Sequence, residues 1–548
     1  MKKLTKLLAF MLCLVMVLSL TACGGSGNDT GAAEPAAPDA AAPVEDAGDA
    51  GELKVFNYGT DANSTTFDPA SDLQTNSGNF LVHAVGESLW TCDPDGNMTL
   101  KLATNVDYTA EALSITLRDD VKFSNGDDMT AADVLFTFQH VASQPRTAAM
   151  YACMDLANAE TPDDYTLIIP MNYYDAALID LLGNASCLIL DAAVAGVEGY
   201  NYSWLIGTGP YMLQGDGVTD KSGWEESVKY TLVRNPYYWG EEPYYDQFNV
   251  YFYSEESTRY AEFQSGSLDA IYLTEATYIN NLDRGAVMDA SLLQVQENAV
   301  SFFTMATAIG GASGEPEEAG PFADINVRKA FAHCLDIPSM VDALGEGVYQ
   351  VASSLVGEGS WIYEDLGAYE YDEALAAQYL AEAGYGVDNP LTIHVYTEAT
   401  AWNSALFEAA QDYAARIGIN LDLSGVADFA TILPVLISGT AEMGISQASN
   451  GSGNDPANLL QQLGPDSDNG MLRVRDESLA ALFREGSSST DHDGRLATYR
   501  QFMEGIYDQY LVVPICVSTK NFGVLDSHTS FASAIDTSNQ VDPTLLTD

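Results

Sequence analysis

From residue 113 to residue 142 the order of apolar and polar residues predicts a strand, a turn and a helix in succession. Apolar and polar residues alternate over 113–118, which is the period of a strand with one buried face. Asn125 and Gly126 then supply a pair that tolerates positive φ in a tight turn. Thr130 and Asp133 have the spacing of a capping box that opens a helix. The apolar positions after this box fall on one helical stripe: Val134, Leu135, Phe138, Val141 and Ala142.

Further along the chain, apolar residues recur at the spacing of a helix with one buried face. One such stripe consists of Val327, Ala330, Phe331, Cys334 and Leu335. Another consists of Leu406, Ala409, Ala410, Tyr413 and Ile417. The second stripe ends at Gly418, and apolar residues then alternate as a strand over 419–423. Asp372 and Gly384 suit the start and the end of a helix between them. A helix followed by a strand indicates an α/β body.

The first residues of the chain have the pattern of a targeting signal. Three lysines precede an apolar run over 7–20, which is too short to span a bilayer. Small residues then stand directly before Cys23. This order predicts that 1–22 is a lipoprotein signal peptide and that Cys23 is lipidated and becomes the new N-terminus. An ordinary secretory signal followed by a chance cysteine is the alternative.

Residues 23–51 are rich in Gly, Ala, Pro and acidic residues and contain no Lys or Arg. Such a segment cannot bury enough apolar surface to fold, so we expect a disordered tether. As a flexible coil it would span about 30 Å. The remaining residues, 52–548, exceed the ~250 to 300 residues at which a single hydrophobic core stops growing. We therefore expect at least two lobes.

The formal charge of the chain is −56, and removal of the three signal-peptide lysines makes it −59. A surface of this kind repels nucleic acid and anionic lipid, so we expect no nucleic-acid partner. The acidity serves solubility in the source's environment or, alternatively, attracts cationic ligands.

The spacing of the cysteines and the absence of enzyme motifs argue against several kinds of site. Apart from Cys13 in the signal and Cys23, the cysteines are Cys92, Cys153, Cys187, Cys334 and Cys516. Five cannot all pair, and their spacing fits neither a disulfide framework nor a zinc site, so we expect buried free thiols. No Walker loop, zinc-protease or nucleophile-elbow motif occurs, and the histidines are isolated in sequence. We therefore expect no catalytic residue, no metal and no cofactor.

Residues 113–138, LSITLRDDVKFSNGDDMTAADVLFTF, closely resemble the signature of the family 5 extracytoplasmic solute-binding proteins. This family includes the peptide-, dipeptide- and nickel-binding proteins that serve ABC importers. The resemblance continues through 207–211, 234–240, 263–269, 326–330, 371–384 and 455–456. It thus extends over essentially the whole body after the tether.

The resemblance implies an α/β fold, a two-lobed periplasmic-binding-protein-like clamshell that encloses its ligand at the junction of the lobes. By position along the chain, lobe one would contain 52–301, with 89–205 as an extra subdomain. Lobe two would contain 302–509, and 510–548 would return to lobe one. We expect a monomer on the outer face of the cell membrane, anchored there by its N-terminal lipid and partnered by ABC permease subunits.

The resemblance also indicates where ligand contacts would lie. In peptide-binding relatives an acidic residue shortly before an Asp-Pro pair holds the ligand's ammonium group, and here Ser452 stands in that place. In dipeptide binders an arginine ahead of the long lobe-two helix grips the carboxylate, and 398–404 contains none. Because both ends of a free dipeptide lose their partners, a longer peptide is the expected cargo.

Candidate ligand-binding residues come from the resemblance and from aromatic side chains that combine an apolar body with a polar handle. They are Thr75, Asn76, Ser77, Trp361, Trp402, Asn450, Ser452 and Asp455. Each has a structural alternative. Asp455 has the position of a helix N-cap before Pro456, the polar residues at 75–77 could cap a loop, and most aromatic residues belong to cores.

Import of an oligopeptide through an ABC transporter is therefore the leading functional hypothesis. A non-peptide solute bound by the same fold is its nearest rival. A lipid-anchored surface hydrolase, and an adhesion or signalling receptor that has lost its transporter, are the hypotheses from other functional classes.

Overall fold

The computed structural model describes most of the chain after residue 52. The described residues are 53–61, 67–70, 84–93, 95–144, 147–183, 187–200, 202, 204–310, 318–448, 453–464, 476–535 and 541–548.

The described residues form twenty β-strands. In chain order they are β1 (Val55–Thr60), β2 (Trp90–Cys92), β3 (Met98–Leu100), β4 (Ala103–Tyr108), β5 (Ala112–Leu117), β6 (Glu160–Asp163), β7 (Thr166–Pro170), β8 (Tyr211–Leu213), β9 (Trp224–Glu225), β10 (Lys229–Arg234), β11 (Gln247–Phe252), β12 (Ala270–Leu273), β13 (Ala290–Met305), β14 (Ala308–Ile309), β15 (Glu318–Ala319), β16 (Gln350–Val351), β17 (Leu391–Glu398), β18 (Ile419–Ala427), β19 (Met443–Ala448) and β20 (Val512–Leu525).

Thirteen α-helices occur in the same part of the chain. They are α1 (Ala131–Ala142), α2 (Leu178–Leu182), α3 (Ala192–Ala195), α4 (Glu256–Gln264), α5 (Ala276–Asp283), α6 (Ile325–Cys334), α7 (Ile337–Gly345), α8 (Glu373–Glu382), α9 (Ala401–Ile417), α10 (Phe429–Ser438), α11 (Pro456–Leu459), α12 (Glu477–Ser488) and α13 (His492–Asp508).

One mixed sheet of twelve strands runs through the body. Its order is β18-β17-β19-β13-β20-β12-β1-β11-β10-β8, with β16 paired to β20 and β9 paired to β10. β1 is parallel to both β11 and β12, and β17 is parallel to both β18 and β19. The long strands β13 and β20 pair antiparallel in the middle of this order. A separate antiparallel sheet has the order β4-β5-β7-β6.

Three large apolar cores surround these sheets. We call the body around β1, β8, β10 and β11 the first lobe. The body around β17, β18, α6 and α9, together with the smaller core around α11, α12 and α13, is called the second lobe. The four-stranded sheet, α1 and α2 enclose the third core, which we call the subdomain. β20 serves both lobes, because its residues at 513–516 pack in the second lobe whereas Phe522 and Val524 pack in the first. The domain boundaries inferred from the sequence stay predictions.

The strand, turn and helix predicted near residue 113 are confirmed. β5 buries alternate residues, and Gly126 has φ +93° in the turn that follows. The capping box of α1 is formed in both directions between Thr130 and Asp133. Val134, Phe138 and Val141 are buried in the subdomain core, and Leu135 and Ala142 pack against it.

The other predicted helices are confirmed as well. All five residues of the first stripe, on α6 and at its C-cap, are buried in the second lobe. Asp372 caps α8 by accepting a hydrogen bond from Leu375 N, and the helix ends before Gly384. α9 ends at Gly418, whose left-handed conformation closes the helix, and β18 begins directly afterwards.

Buried Glu87 explains part of the resemblance in structural terms. Its Oε2 accepts hydrogen bonds from Thr208 Oγ1 and Trp239 Nε1, both at 2.9 Å. Thr208 and Trp239 belong to two of the segments that carry the resemblance, so these segments meet where the subdomain joins the first lobe. Burial raises the pKa of Glu87 to about 7, although the two hydrogen bonds act in the opposite direction.

The cysteine prediction is also confirmed for the described residues. Cys92, Cys153, Cys187, Cys334 and Cys516 are buried thiols that take part in no disulfide. Burial raises the pKa of the thiols of Cys92, Cys153 and Cys516 to about 12. Within the same residues, none of the helices has the length and apolar character needed to cross a bilayer.

Candidate functional site

The strands β13 and β20 form the junction between the lobes. Their register is irregular between Gln296 and Val300, where β13 passes from one lobe to the other. An ion pair lies at this point, with Lys520 Nζ 3.3 Å from Glu297 Oε1 and both side chains largely buried. Asn298 is also buried there, and its carbonyl oxygen accepts a hydrogen bond from Gly357 N. The junction is therefore a polar seam between two apolar cores.

On the first-lobe side, the carboxyl ends of β1 and β11 border an open recess of about 390 Å³. In α/β sheets, ligands bind outside the carboxyl ends of parallel strands, which makes this edge the natural binding surface of the lobe. The recess is lined by Asp61, Ser227, Phe252, Tyr253, Ser254, Glu255 and Thr258. Two carboxylates, hydroxyl groups and aromatic rings therefore face the same space.

Tyr272 on β12 connects this edge to the junction. Burial raises the pKa of its hydroxyl above the usual range, and the nearby charges of Asp61 and Glu297 raise it further, as does Tyr349. Tyr349 belongs to the second lobe, and its own pKa is raised to about 12, mainly by burial. Both phenols therefore remain neutral hydrogen-bonding groups at any physiological pH.

Tyr349 and Trp402 form the second-lobe side of this region. The Tyr349 hydroxyl lies 3.4 Å from the Thr274 carbonyl oxygen, so it reaches across to the first lobe just after β12. The rings of Tyr349 and Trp402, the latter on the first turn of α9, have centroids 4.5 Å apart. Trp402 therefore lies beside the junction, where an aromatic ligand contact was expected. Its role in binding stays a prediction.

Trp361 and Asp455, the other two described candidates, are brought together by Arg495 on α13. Arg495 Nη2 lies 2.7 Å from each carboxylate oxygen of Asp455, and the guanidinium carbon is 5.6 Å from the Trp361 ring. Trp361 also stacks on His492, with ring centroids 4.4 Å apart. This group lies in the second lobe around α13, separate from the pair formed by Tyr349 and Trp402.

The helix-cap alternative for Asp455 is confirmed. Its Oδ1 accepts a hydrogen bond from Ala457 N, and it is the N-cap of α11. Its carboxylate thus has a cation and a backbone donor of its own. Asp455 as a ligand contact stays a prediction.

The remaining candidates lie outside the described residues. They are Cys23, Thr75, Asn76, Ser77, Asn450 and Ser452. The segment 398–404 is described, and there Thr400 caps α9 by accepting a hydrogen bond from Asn403 N.

This arrangement suits binding rather than bond-breaking chemistry. Tyrosine and tryptophan offer apolar surface with a polar tip, which is a common lining of ligand sites. The buried thiols, with raised pKa values, are poor nucleophiles. In the described part of the chain, no three His, Cys, Asp or Glu side chains are grouped so as to hold a metal ion.

Sequence reasoning missed most of the junction. Asp61, Tyr272, Glu297, Tyr349 and Lys520 were not among the candidates. For Asp61 a usable signal existed, because it directly follows the apolar strand β1 at what is a carboxyl end. The others come together only through pairings between segments far apart in the chain.

Comparison with known proteins places this architecture among binding proteins. The family model described as bacterial extracellular solute-binding proteins, family 5 Middle, matches residues 97–470. The chain is similar to heme-binding protein A of Haemophilus influenzae, with 26% identity over 450 residues that cover 76% of this chain and 78% of the relative. It is also similar to a putative ABC transporter peptide-binding protein of Brucella ovis, with 24% identity over 424 residues, 74% of this chain and 76% of the relative.

A solved structure shows the same fold. The periplasmic binding protein DppA from Helicobacter pylori, in complex with the peptide STSA, superimposes with a TM-score of 0.73 at 20% identity. The match covers 90% of this chain and 97% of that one. The expected two-lobed periplasmic-binding-protein fold is thus confirmed.

Proposed function

Because the chain belongs to the bacterial extracellular solute-binding proteins of family 5, we propose that it captures an oligopeptide between its lobes and delivers it to an ABC importer. The match of the family model over 97–470 carries this proposal. The family consists of binding proteins, and both curated relatives are named as such. A surface hydrolase is therefore not supported.

The names of similar proteins favour a peptide as the cargo, and the peptide STSA and the sequence of this chain favour one longer than a dipeptide. The Brucella relative is named a putative peptide-binding protein, and the Helicobacter structure holds a four-residue peptide, STSA. In this chain Ser452 occupies the place of the acidic clamp, and 398–404 contains no arginine for a carboxylate. A charge-assisted hydrogen bond contributes about 1.5 to 3 kcal/mol, so loss of both clamps weakens a free dipeptide by orders of magnitude. Longer peptides lose less, because main-chain hydrogen bonds and side-chain contacts hold them.

Thermal unfolding of the ligand-free protein with a panel of solutes tests this cargo. We expect peptides of four or more residues, with free or blocked ends, to raise the melting temperature, and free dipeptides to leave it nearly unchanged. A ligand at 100 times its dissociation constant stabilises the folded state by about 2.7 kcal/mol, which such a measurement resolves easily. Native mass spectrometry of freshly purified protein would identify the mass of any retained ligand.

Heme belongs in the same panel, because one relative is named a heme-binding protein. Stabilisation by free dipeptides alone would show that the assignment of Ser452 is wrong. If heme or another non-peptide solute stabilises the protein while no peptide does, the oligopeptide cargo is replaced by that solute. Release of cleaved products from any of these peptides would instead support the hypothesis that the protein is a hydrolase.

We further propose that the protein works on the outer face of the cell membrane as a monomer, held there by a lipid on Cys23 and a tether over 23–51. The apolar run over 7–20 and the small residues before Cys23 support the anchor. ABC permease subunits would be the partners that receive the cargo.

Replacement of Cys23 by alanine is expected to release the protein from membranes, because it removes the thiol that would carry the lipid. Detergent phase partitioning of the wild type and of Cys23→Ala provides the measurement. Cys13→Ala is the matched control, since that cysteine lies within the signal and its loss should leave partitioning unchanged. A wild-type protein found in the aqueous phase, or a Cys23→Ala form retained in the detergent phase, contradicts the anchor.

A further inference from the structure

The subdomain and the second lobe are joined by a contact that involves neither β13 nor β20. Asp180 on α2 is 8% exposed, and its Oδ2 accepts hydrogen bonds from Asp455 N at 2.8 Å and from Asn458 Nδ2 at 3.0 Å. A main-chain hydrogen bond lies beside it, from Ala176 N to the Ser487 carbonyl oxygen at 2.7 Å. Helix α2 thus binds α11, and the segment just before α2 binds the end of α12.

Gly453 makes the close approach of these segments possible. A Cβ atom at this position would lie 1.9 Å from Asp180 Oδ2, well inside van der Waals contact, and the residue has φ +122°. Any other residue would therefore push the loop over 453–458 away from α2. Glycine at this position therefore allows the loop over 453–458 to lie directly against α2.

The charges at this contact are unbalanced. The negative charge of Asp455 acts on both Asp175 and Asp180. Arg495 is bound to Asp455 through both carboxylate oxygens. None of the ion pairs among the described residues includes Asp180. Within the subdomain, the charge of Asp180 also acts on the buried thiol of Cys92. The contact therefore buries more negative charge than it neutralises.

We propose that Asp180 and the loop over 453–458 act as a clasp between the subdomain and the second lobe, and that the clasp takes up a proton on Asp180 when it closes. The proton comes from the solvent and returns to it on opening. Since the two segments belong to different bodies of a two-lobed protein, opening of the lobes separates them. Acidification therefore favours the closed form, whichever solute is bound.

The pH range follows from the change in Asp180. Burial raises its pKa in the clasp to about 6, against an ordinary value of 3.8, although hydrogen bonds from Asp455 and Asn458 lower it in part. A group whose pKa is higher in the closed state binds more protons there, so closure strengthens as pH falls through 6 towards 3.8. Between pH 7.5 and pH 5.0 the equilibrium should shift about tenfold towards closure.

Hydrogen exchange of the ligand-free protein measures this shift directly. The amides of Asp455 and Ala176 both donate across the contact, so both are protected only while the clasp is closed. Referenced to the unfolded-chain rate at each pH, exchange in both segments should be about tenfold slower at pH 5.0 than at 7.5. Equal protection at the two pH values would overturn the coupling to a proton.

Two variants test the clasp contact and its uptake of a proton independently. Asp180→Asn keeps an acceptor oxygen without the charge, so protection should be high at both pH values. If the pH dependence persists in this variant, Asp175 or another group carries it and the assignment to Asp180 is wrong. Gly453→Ala should remove protection from both segments at both pH values, whereas Gly386→Ala should not, because a Cβ there meets no atom within 4 Å.

If Gly453→Ala leaves the Ala176 segment protected, the clasp is not a unit and the proposal fails. Should that variant not fold, Asp180→Ala serves instead, because it removes the acceptor while leaving the loop glycine intact. Persistence of protection at Asp455 and Ala176 in Asp180→Ala would equally refute the clasp.

Discussion

Arg495→Met is expected to lower the free energy of unfolding by about 3 to 5 kcal/mol. The Arg495 and Asp455 side chains are only 10% and 8% exposed, and the guanidinium also donates to the Gly486 carbonyl oxygen at 2.8 Å. Methionine preserves much of the apolar stem but leaves Asp455 buried without a cation. The neighbouring carboxylates of Asp175 and Asp180 add to that cost, because their charges repel it.

The measurement is the melting temperature of the second lobe, which should fall by roughly 10 °C, since a cooperative unit of that size loses about 2 to 4 °C per kcal/mol. Arg484→Met is the matched control. Arg484 is paired with Glu477, but the two side chains are 48% and 86% exposed, so the loss should stay below about 1 kcal/mol. If the two variants lose the same free energy of unfolding, the buried ion pair of Arg495 and Asp455 contributes no more to stability than the exposed pair of Arg484 and Glu477.

Gly207→Ala is expected to destabilise the protein by about 3 kcal/mol through disruption of the joint between the subdomain and the first lobe. A Cβ at this position would lie 2.1 Å from the Val85 carbonyl oxygen. That oxygen cannot simply move aside, because it already accepts a hydrogen bond from Gly209 N at 2.9 Å. The Gly207 carbonyl oxygen in turn accepts a hydrogen bond from Ser124 N, so hydrogen bonds hold the backbone in place on both sides of this contact.

Thermal unfolding and the onset of proteolysis near the joint would both report this loss. Gly386→Ala again provides the control, because it adds the same methyl group where no atom lies within 4 Å. Its melting temperature should match the wild type. A Gly207→Ala protein as stable as this control would show that the backbone at Val85 yields more easily than its hydrogen bonds suggest.

Elements with strong local signals were predicted well from the sequence. The capping box of Thr130 and Asp133 and the glycine at 418 set helix ends by contacts within a few residues, so their positions are readable without a tertiary structure. The alternation in β5 was readable for the same reason, since one face of that strand is buried and the other is not. The resemblance then supplied the two-lobed fold, which local signals alone did not.

The site was harder to predict because its contacts are long-range. Trp361 was expected in the cleft on the basis of its residue type. It contacts His492 and Arg495 and packs against the core around α13, and its role in binding stays a prediction. The link between Asp180 and Asp455 joins residues 275 positions apart, and no periodicity or motif reports such a pairing. Tyr349 likewise reaches Thr274 through the arrangement of the lobes, which the sequence around it does not encode.

The place of β20 in the sheet has a consequence for the order in which the protein can be completed during synthesis. It is the last of the described strands along the chain, yet it lies in the interior of the twelve-stranded sheet, between β13 and β12. Until residues 512–525 emerge, the growing sheet has two unpaired edges, and each lobe lacks a core strand. Because both lobes need residues of β20, neither lobe can finish folding before these residues have been synthesised, and the nascent chain must avoid aggregation until then.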